Sequence, residues 1–271
     1  MNILFWNINK KSFKQDIVTL TKNSKVDILI LCECTLTEVS ICNALNCGLL
    51  KDEYFPLNIS HKKFKVITRF DTKYITNFDK DFGGMSWTIY KFSLPKIPIF
   101  NIVATHLPSK IHWDESSQSF EAVNLMNAIR SYELKNGNST IVVGDFNMNP
   151  YESGMTSSMG MHGMKDAILA KKKKRKIQGS YYDYFYNPMW NYLGDERNVS
   201  GTYFHRKSIH NNVMWNTFDQ ILLRPSLLNF YKFSGLKILT KIGKESLINK
   251  QTKEIDKKFS DHLPILANLN L

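Results

Sequence analysis

Nine stretches of the chain are rich in apolar residues and short enough to be strands: residues 2–8, 26–34, 64–70, 85–92, 99–107, 140–146, 218–225, 236–242 and 264–271. Several, such as Ile28-Leu29-Ile30-Leu31 and Ile141-Val142-Val143, are nearly continuous in apolar residues. That pattern predicts sheet buried on both faces. Helical spacing appears between some of them. Phe13, Ile17 and Leu20 keep an i, i+4, i+7 stripe, and after Trp113 a face of Ala122, Leu125, Met126 and Ile129 runs to a stop at Asn136-Gly137-Asn138. Alternating strands and helices, with hairpin-like strand pairs, predict a mixed α/β layered domain. No internal repeat and no linker divides the sequence, so residues 1–271 read as one domain.

One segment breaks the pattern. Residues 171–176 read Lys-Lys-Lys-Lys-Arg-Lys and follow a Met/Gly/Ser-rich stretch. A block of like charges is ordinarily a solvated surface loop, expected here around residues 165–180. Its functional reading is a clamp on a phosphate backbone, and the two readings are compatible.

Composition narrows the class. A length of 271 residues with 43% hydrophobic content suits one large globular domain. No stretch reaches the roughly 18 to 20 apolar residues of a membrane span. The start, a short apolar run followed by lysines, has the wrong order for a signal peptide. The expectation is a cytoplasmic protein that does not enter a membrane. A net charge of +12 points towards a polyanion, although lysine-rich composition alone fixes neither partner nor function. Cys32, Cys34, Cys42 and Cys47 lack zinc-ligand spacing and read as reduced, mostly buried thiols.

The chemistry sits where polar residues interrupt the apolar runs. Asn7 follows Ile3-Leu4-Phe5-Trp6, Glu33 follows residues 28–32, and His106 follows residues 102–105. Asp145 and Asn147 follow Ile141 to Gly144, Asp219 opens residues 219–223, and Asp261-His262 precede Leu263. Each alone reads as a cap, a turn or a satisfied core histidine. Together they are acids, amides and imidazoles at strand mouths, with no Lys or Arg among them to neutralise the acids. Clustered carboxylates without cations call for a metal. Oxygen ligands fit Mg²⁺ or Mn²⁺ better than zinc. Metal, acids and imidazoles point to phosphoester hydrolysis. An extended end to residues 140–147 would turn Asp145 and Asn147 to one side and Phe146 to the core.

These residues stand in motifs that resemble, in order, those of the endonuclease/exonuclease/phosphatase superfamily, the DNase I and exonuclease III type. FWNIN (5–9), ILCE (30–33), ATHLPS (104–109), VVGDFNMNP (142–150), FDQILL (218–223) and SDHLPI (260–265) span nearly the whole chain. The Thr-His-Leu form of the third motif resembles DNase I and the tyrosyl-DNA phosphodiesterase 2 type. Exonuclease III-type enzymes carry tyrosine in place of His106. The resemblance implies a four-layer α/β sandwich of two packed, mainly antiparallel sheets flanked by helices. It implies Mg²⁺ held by Glu33, with Asn7 and Asp261 helping directly or through water. Asp145 would orient or deprotonate the attacking water, and Asn147 would bind the scissile phosphate. His262, oriented by Asp219, would contact the phosphate, and His106 would stabilise or protonate the leaving side. The implied activity is a nuclease on DNA, with RNA less favoured. The alternative is a phosphatase or phosphodiesterase acting on a small phosphorylated molecule or lipid headgroup. A binding module without activity is disfavoured, because every one of these positions is intact. Tyr203, Trp190 and Trp215 read either as stacking platforms for bases or as ordinary packing.

Overall fold

The computed structural model describes residues 1–57, 61, 63–79, 85–195, 199–208, 210 and 212–271. Two sheets form its frame. The first has six strands in the order β16 (Tyr231–Ile238), β19 (Ile265–Leu269), β1 (Asn2–Asn7), β2 (Ile28–Cys32), β4 (Phe64–Thr68) and β3 (Phe55–Pro56). The second has seven: β5 (Ile75–Asn77), β6 (Trp87–Phe92), β7 (Phe100–His106), β8 (Thr140–Asp145), β15 (Asp219–Leu223), β12 (Phe185–Tyr186) and β9 (Gly163–Met164). Among the described residues three two-stranded hairpins stand apart: β10 (Lys174–Ile177) with β11 (Ser180–Asp183), β13 (Tyr203–Phe204) with β14 (Trp215–Asn216), and β17 (Lys241–Ile242) with β18 (Glu245–Ser246). Pairing is mainly antiparallel. The parallel exceptions include the central pairs β1–β2 and β7–β8.

The continuous apolar runs explain the layering. In β1, Ile3 and Phe5 face the other sheet and join Ile28, Ile30, Ile102, Val143 and Ile221 in the core between the sheets. Leu4 and Trp6 face the opposite way, against Ile17 and Leu20 of helix α1 (Lys14–Asn23) and Ile41 and Leu45 of α2 (Glu38–Asn46). On the second sheet, Val103, Val142 and Leu222 face outward under Ala122, Leu125, Met126 and Ile129 of α3 (Glu115–Asn136). Strands buried on both faces cannot alternate, so their sequences do not. The result is the four-layer α/β sandwich with helices outside. Asp114 caps α3 by accepting from the Ser117 N–H, and Gly137, at φ +85°, ends it as Asn136-Gly137-Asn138 predicts. No helix among the described residues is long and apolar enough to cross a membrane.

Two expectations change. Residues 171–176 are not simply a loop: Lys174 to Lys176 lie in the β10–β11 hairpin, closed by Gln178 and Gly179 at φ +47° and +88°. Two successive positive φ values make the turn whose twist suits a two-residue hairpin. The strand expected at 236–242 begins at Tyr231 and ends at Ile238, with an irregularity between Tyr231 and Leu236. Its first half is largely exposed and offers only Tyr231 and Phe233 before Gly235, too short a stretch to stand out as a buried strand in a hydrophobicity pattern.

Candidate active site

Parallel pairing brings strand ends together. His106 of β7 is in register with Asp145 of β8, and Asp219 of β15 is in register with Asp145 from the other side. One row across three neighbouring strands therefore carries His106, Asp145 and Asp219. In the first sheet Asn7 closes β1 beside Cys32, and the chain leaves β2 through Glu33 at φ +49°. The segment before β19 is tied to the end of β1. The Ser260 hydroxyl donates to the Asn7 carbonyl, Trp6 Nε1 donates to the His262 carbonyl, and the His262 N–H donates to Ser260 Oγ. The mouths of both sheets thus share one cleft of about 1050 Å³, lined by Asn7, Glu33, His106, Asp145, Asn147, Asp261 and His262. Asp219 lies behind His262, fully buried.

Asp145 is the hub. Its Oδ2 accepts from Asn7 Nδ2 at 3.1 Å and lies 3.8 Å from both His106 Nε2 and His262 Nε2. Its Oδ1 accepts from the Asn147 N–H at 2.9 Å. This last bond corrects the picture of an extended strand end. The chain turns within two residues, Asn147 sits at φ +51°, and its Nδ2 donates to the Leu107 carbonyl at 2.9 Å. Asparagine tolerates the left-handed region better than most residues. Asp145 and Asn147 still line the same cleft, and Phe146 is buried beneath α3. Gly144 has its own steric reason: a Cβ there would overlap the Thr105 carbonyl oxygen of the neighbouring parallel strand. Gly144→Ala is expected to destabilise the fold by ~3 kcal/mol, read as a shift in the urea unfolding midpoint.

The two imidazoles differ. His262 Nδ1 donates to Asp219 Oδ2 at 2.8 Å. Burial opposes charge on His262, but Asp219, Asp145 and Asp261 outweigh it and hold the imidazolium above the ordinary histidine value. Burial raises Asp219 in turn, and His262 offsets that in part. Burial holds His106 below the usual imidazole value despite Asp145, and its buried Nδ1 has no hydrogen-bond partner. Its Nε2 lies 3.7 Å from Glu33 Oε1.

The donor set fits a divalent cation. Glu33, Asp145 and Asp261 offer carboxylate oxygens to the cleft, and no Lys or Arg among the described residues pairs with them. Asp261 Oδ1 is buried without a hydrogen-bond partner, a cost that a cation would remove. A second donor group, Asp145, Asp219 and His262, has its ligand atoms within 4.8 Å of one another. The hydrogen bond between Asp219 and His262 already occupies one atom of each in that group.

Tyr203 also belongs to the site, although the sequence left it undecided. Its ring packs 4.7 Å from that of His262 and stacks on Phe218 at 5.3 Å. Asn149 was missed. Its Nδ2 donates to Glu152 and Asn216, and its Oδ1 accepts from the Thr217 N–H, which binds the GDFN turn to the β13–β14 side of the cleft. The signal was a third polar residue two places after Asn147. Trp190 and Trp215 do not line the cleft.

The sequence profile of the Endonuclease/Exonuclease/phosphatase family matches residues 4–262. The chain belongs to this family. No curated protein matches it significantly. Solved structures match in fold. The family member resembles an AP endonuclease from Archaeoglobus fulgidus, with 13% identity, all of both chains covered and a TM-score of 0.59. It resembles the 3′ phosphatase NExo from Neisseria, bound to a product DNA hairpin, with 14% identity, all of both chains covered and a TM-score of 0.58. Truncated TDP2 from Caenorhabditis elegans matches at 17% identity over 99% of this chain and 96% of that one, with a TM-score of 0.56. The family comprises hydrolases of phosphoric esters.

Proposed function

We propose that residues 1–271 form one catalytic domain, a Mg²⁺-dependent phosphodiesterase that cleaves nucleic acid, DNA in preference to RNA. The observation that carries this reading is the convergence of Glu33 and Asp145 with two imidazoles, all four within 3.8 Å contacts at the shared mouth of both sheets. Glu33 and Asp261 would hold Mg²⁺, or Mn²⁺ in its place. Asn7, whose amide engages Asp145 and whose oxygen accepts from the Asn9 N–H, would act on the metal side through Asp145 or a water. Once bound, the cation neutralises charge on the scissile phosphate and acidifies water.

The chain's own groups do the rest. Asp145 orients the attacking water and takes its proton. Asn147 and the His262 imidazolium hold the phosphate oxygens, and Asp219 fixes the ring of His262 through Nδ1. As the new P–O bond forms, the bond to the leaving oxygen breaks in line, and His106 stabilises or protonates that oxygen. The rim favours a polymer. Lys10, Lys110 and Lys207 line the cleft around its acidic floor, Lys110 paired with Glu152, and a basic rim of this kind gains most from a substrate with several phosphates.

End-labelled single- and double-stranded DNA and RNA, incubated with Mg²⁺ or with EDTA, test the reading. Cleavage of DNA is expected with Mg²⁺ and none with EDTA. Inert protein on both polymers, with turnover of a phosphorylated sugar, nucleotide or headgroup, would overturn it in favour of a small-substrate phosphatase.

A further inference from the structure

The basic hairpin is not part of the cleft. It is rooted at Tyr184, whose carbonyl accepts from Arg224 Nη1, just beyond the Leu223 end of β15. The site residue on that strand, Asp219, is at the other end. Five residue steps of about 3.3 Å from Asp219 to Arg224 put the root roughly 16 Å from Asp219 along the strand direction, away from the cleft. Lys171 to Lys176 are all exposed, and no carboxylate among the described residues lies within ion-pair distance of any of them.

The charges are also ordered. Register places Lys174 opposite Asp183, Arg175 opposite Tyr182 and Lys176 opposite Tyr181. Cross-strand partners share a face, so Lys174, Lys176 and Tyr181 stand together. The Tyr181 ring, 62% exposed, has the Lys174 ammonium 4.6 Å and the Lys176 ammonium 5.8 Å from its centre. On the other face Tyr182 lies 5.9 Å from the Arg130 guanidinium of α3, which fastens the hairpin to the body. A flexible lysine run loses side-chain freedom on binding, whereas a strand-mounted one has lost part of it already. Self-repulsion among six adjacent cations burdens the free chain, and an external polyanion relieves it.

We propose that the hairpin Lys174–Asp183, with the lysines 171–173 that lead into it, is a second nucleic-acid contact, separate from the catalytic cleft, which grips the phosphate backbone of a long substrate and anchors it. The assignment rests on the nuclease reading above. An anchor acts on binding and leaves chemistry on a small substrate untouched.

The test combines Lys172→Gln, Lys174→Gln and Lys176→Gln in the full chain. Affinity for a long DNA duplex and its salt dependence are measured beside hydrolysis of bis(p-nitrophenyl) phosphate, which is too small to reach the hairpin. Binding to the duplex at low salt is expected to weaken about tenfold or more. The slope of log affinity against log salt should flatten by about one for each phosphate that the hairpin no longer grips, and the corresponding Lys→Arg variant should keep it. Turnover of the small diester should not change. An unchanged slope in an active protein overturns the anchor alone. So does loss of binding to phosphatidylserine vesicles with duplex binding intact, which would make an anionic membrane the partner. Wild-type protein that neither binds nor cuts nucleic acid overturns the nuclease reading, and the anchor with it.

Discussion

Glu33→Gln is expected to lower metal-supported phosphodiester hydrolysis about 10³-fold and to leave stability within about 0.5 kcal/mol of wild type. The split follows from where the carboxylate sits. Glu33 is partly exposed, and the basic side chain nearest its carboxylate is His106, with Nε2 at 3.7 Å, too long for a hydrogen bond. Glutamine keeps its length at a left-handed backbone position, so only the charge offered to the cleft is lost. Calorimetric titration of Mg²⁺ should show weaker binding in parallel with lost turnover. Full activity in the variant would remove Glu33 from the metal site. His262→Ala is a poorer probe. Asp219 is completely buried with Oδ1 unpartnered and Oδ2 on His262. Removing the imidazole would orphan a buried carboxylate and mix a loss of stability with a loss of chemistry.

The sequence carried the site further than it carried the shape around it. Each site candidate was visible because a polar group ended or opened an apolar run, and burial makes such an interruption costly unless it is used. Asn7, His106 and Asp145 are indeed the last residues of their strands, and Asp219 is a first residue. What could not be read was the register that sets His106, Asp145 and Asp219 in one row, because strand order is a property of pairing between distant segments. The Asp145–Asn147 turn was hidden for a related reason: period-2 reasoning assumes the strand continues, whereas the Asp145 side chain captures the Asn147 N–H and bends it. Two-residue strands such as β12 and β9 have too few residues to show any period. The β10–β11 hairpin was masked by its charge, although Gln178-Gly179 marks the turn.

The same long-range blindness applies to a buried ion pair between the second sheet and α3. Arg224 Nε and Nη2 donate to the two oxygens of Glu133 at 2.9 and 2.7 Å, a fork joining the end of β15 to the last turns of α3 across 91 residues of sequence. The Arg224 side chain is 2% exposed and that of Glu133 9%. The guanidinium lies 3.9 Å from the centre of the Phe185 ring, and its Nη1 holds the Tyr184 carbonyl at the root of the basic hairpin. Glu133→Gln leaves that buried cation without its counter-charge and should cost about 3 to 5 kcal/mol, a fall of roughly 10 °C in Tm. Replacing both partners with apolar residues of similar volume, Glu133→Leu with Arg224→Met, should recover much of the loss, because the penalty comes from an unpaired charge more than from a missing bond. The variants also separate two ends of one strand. Hydrogen exchange in Glu133→Gln should rise in residues 173–184 first, where Arg224 anchors the hairpin, while Asp219, at the far end of β15, keeps its bond to His262. Turnover of a small phosphodiester below the new Tm should therefore persist as salt-sensitive binding of long duplex weakens. Equal protection across the hairpin in both proteins would mean that Arg224 does not anchor it.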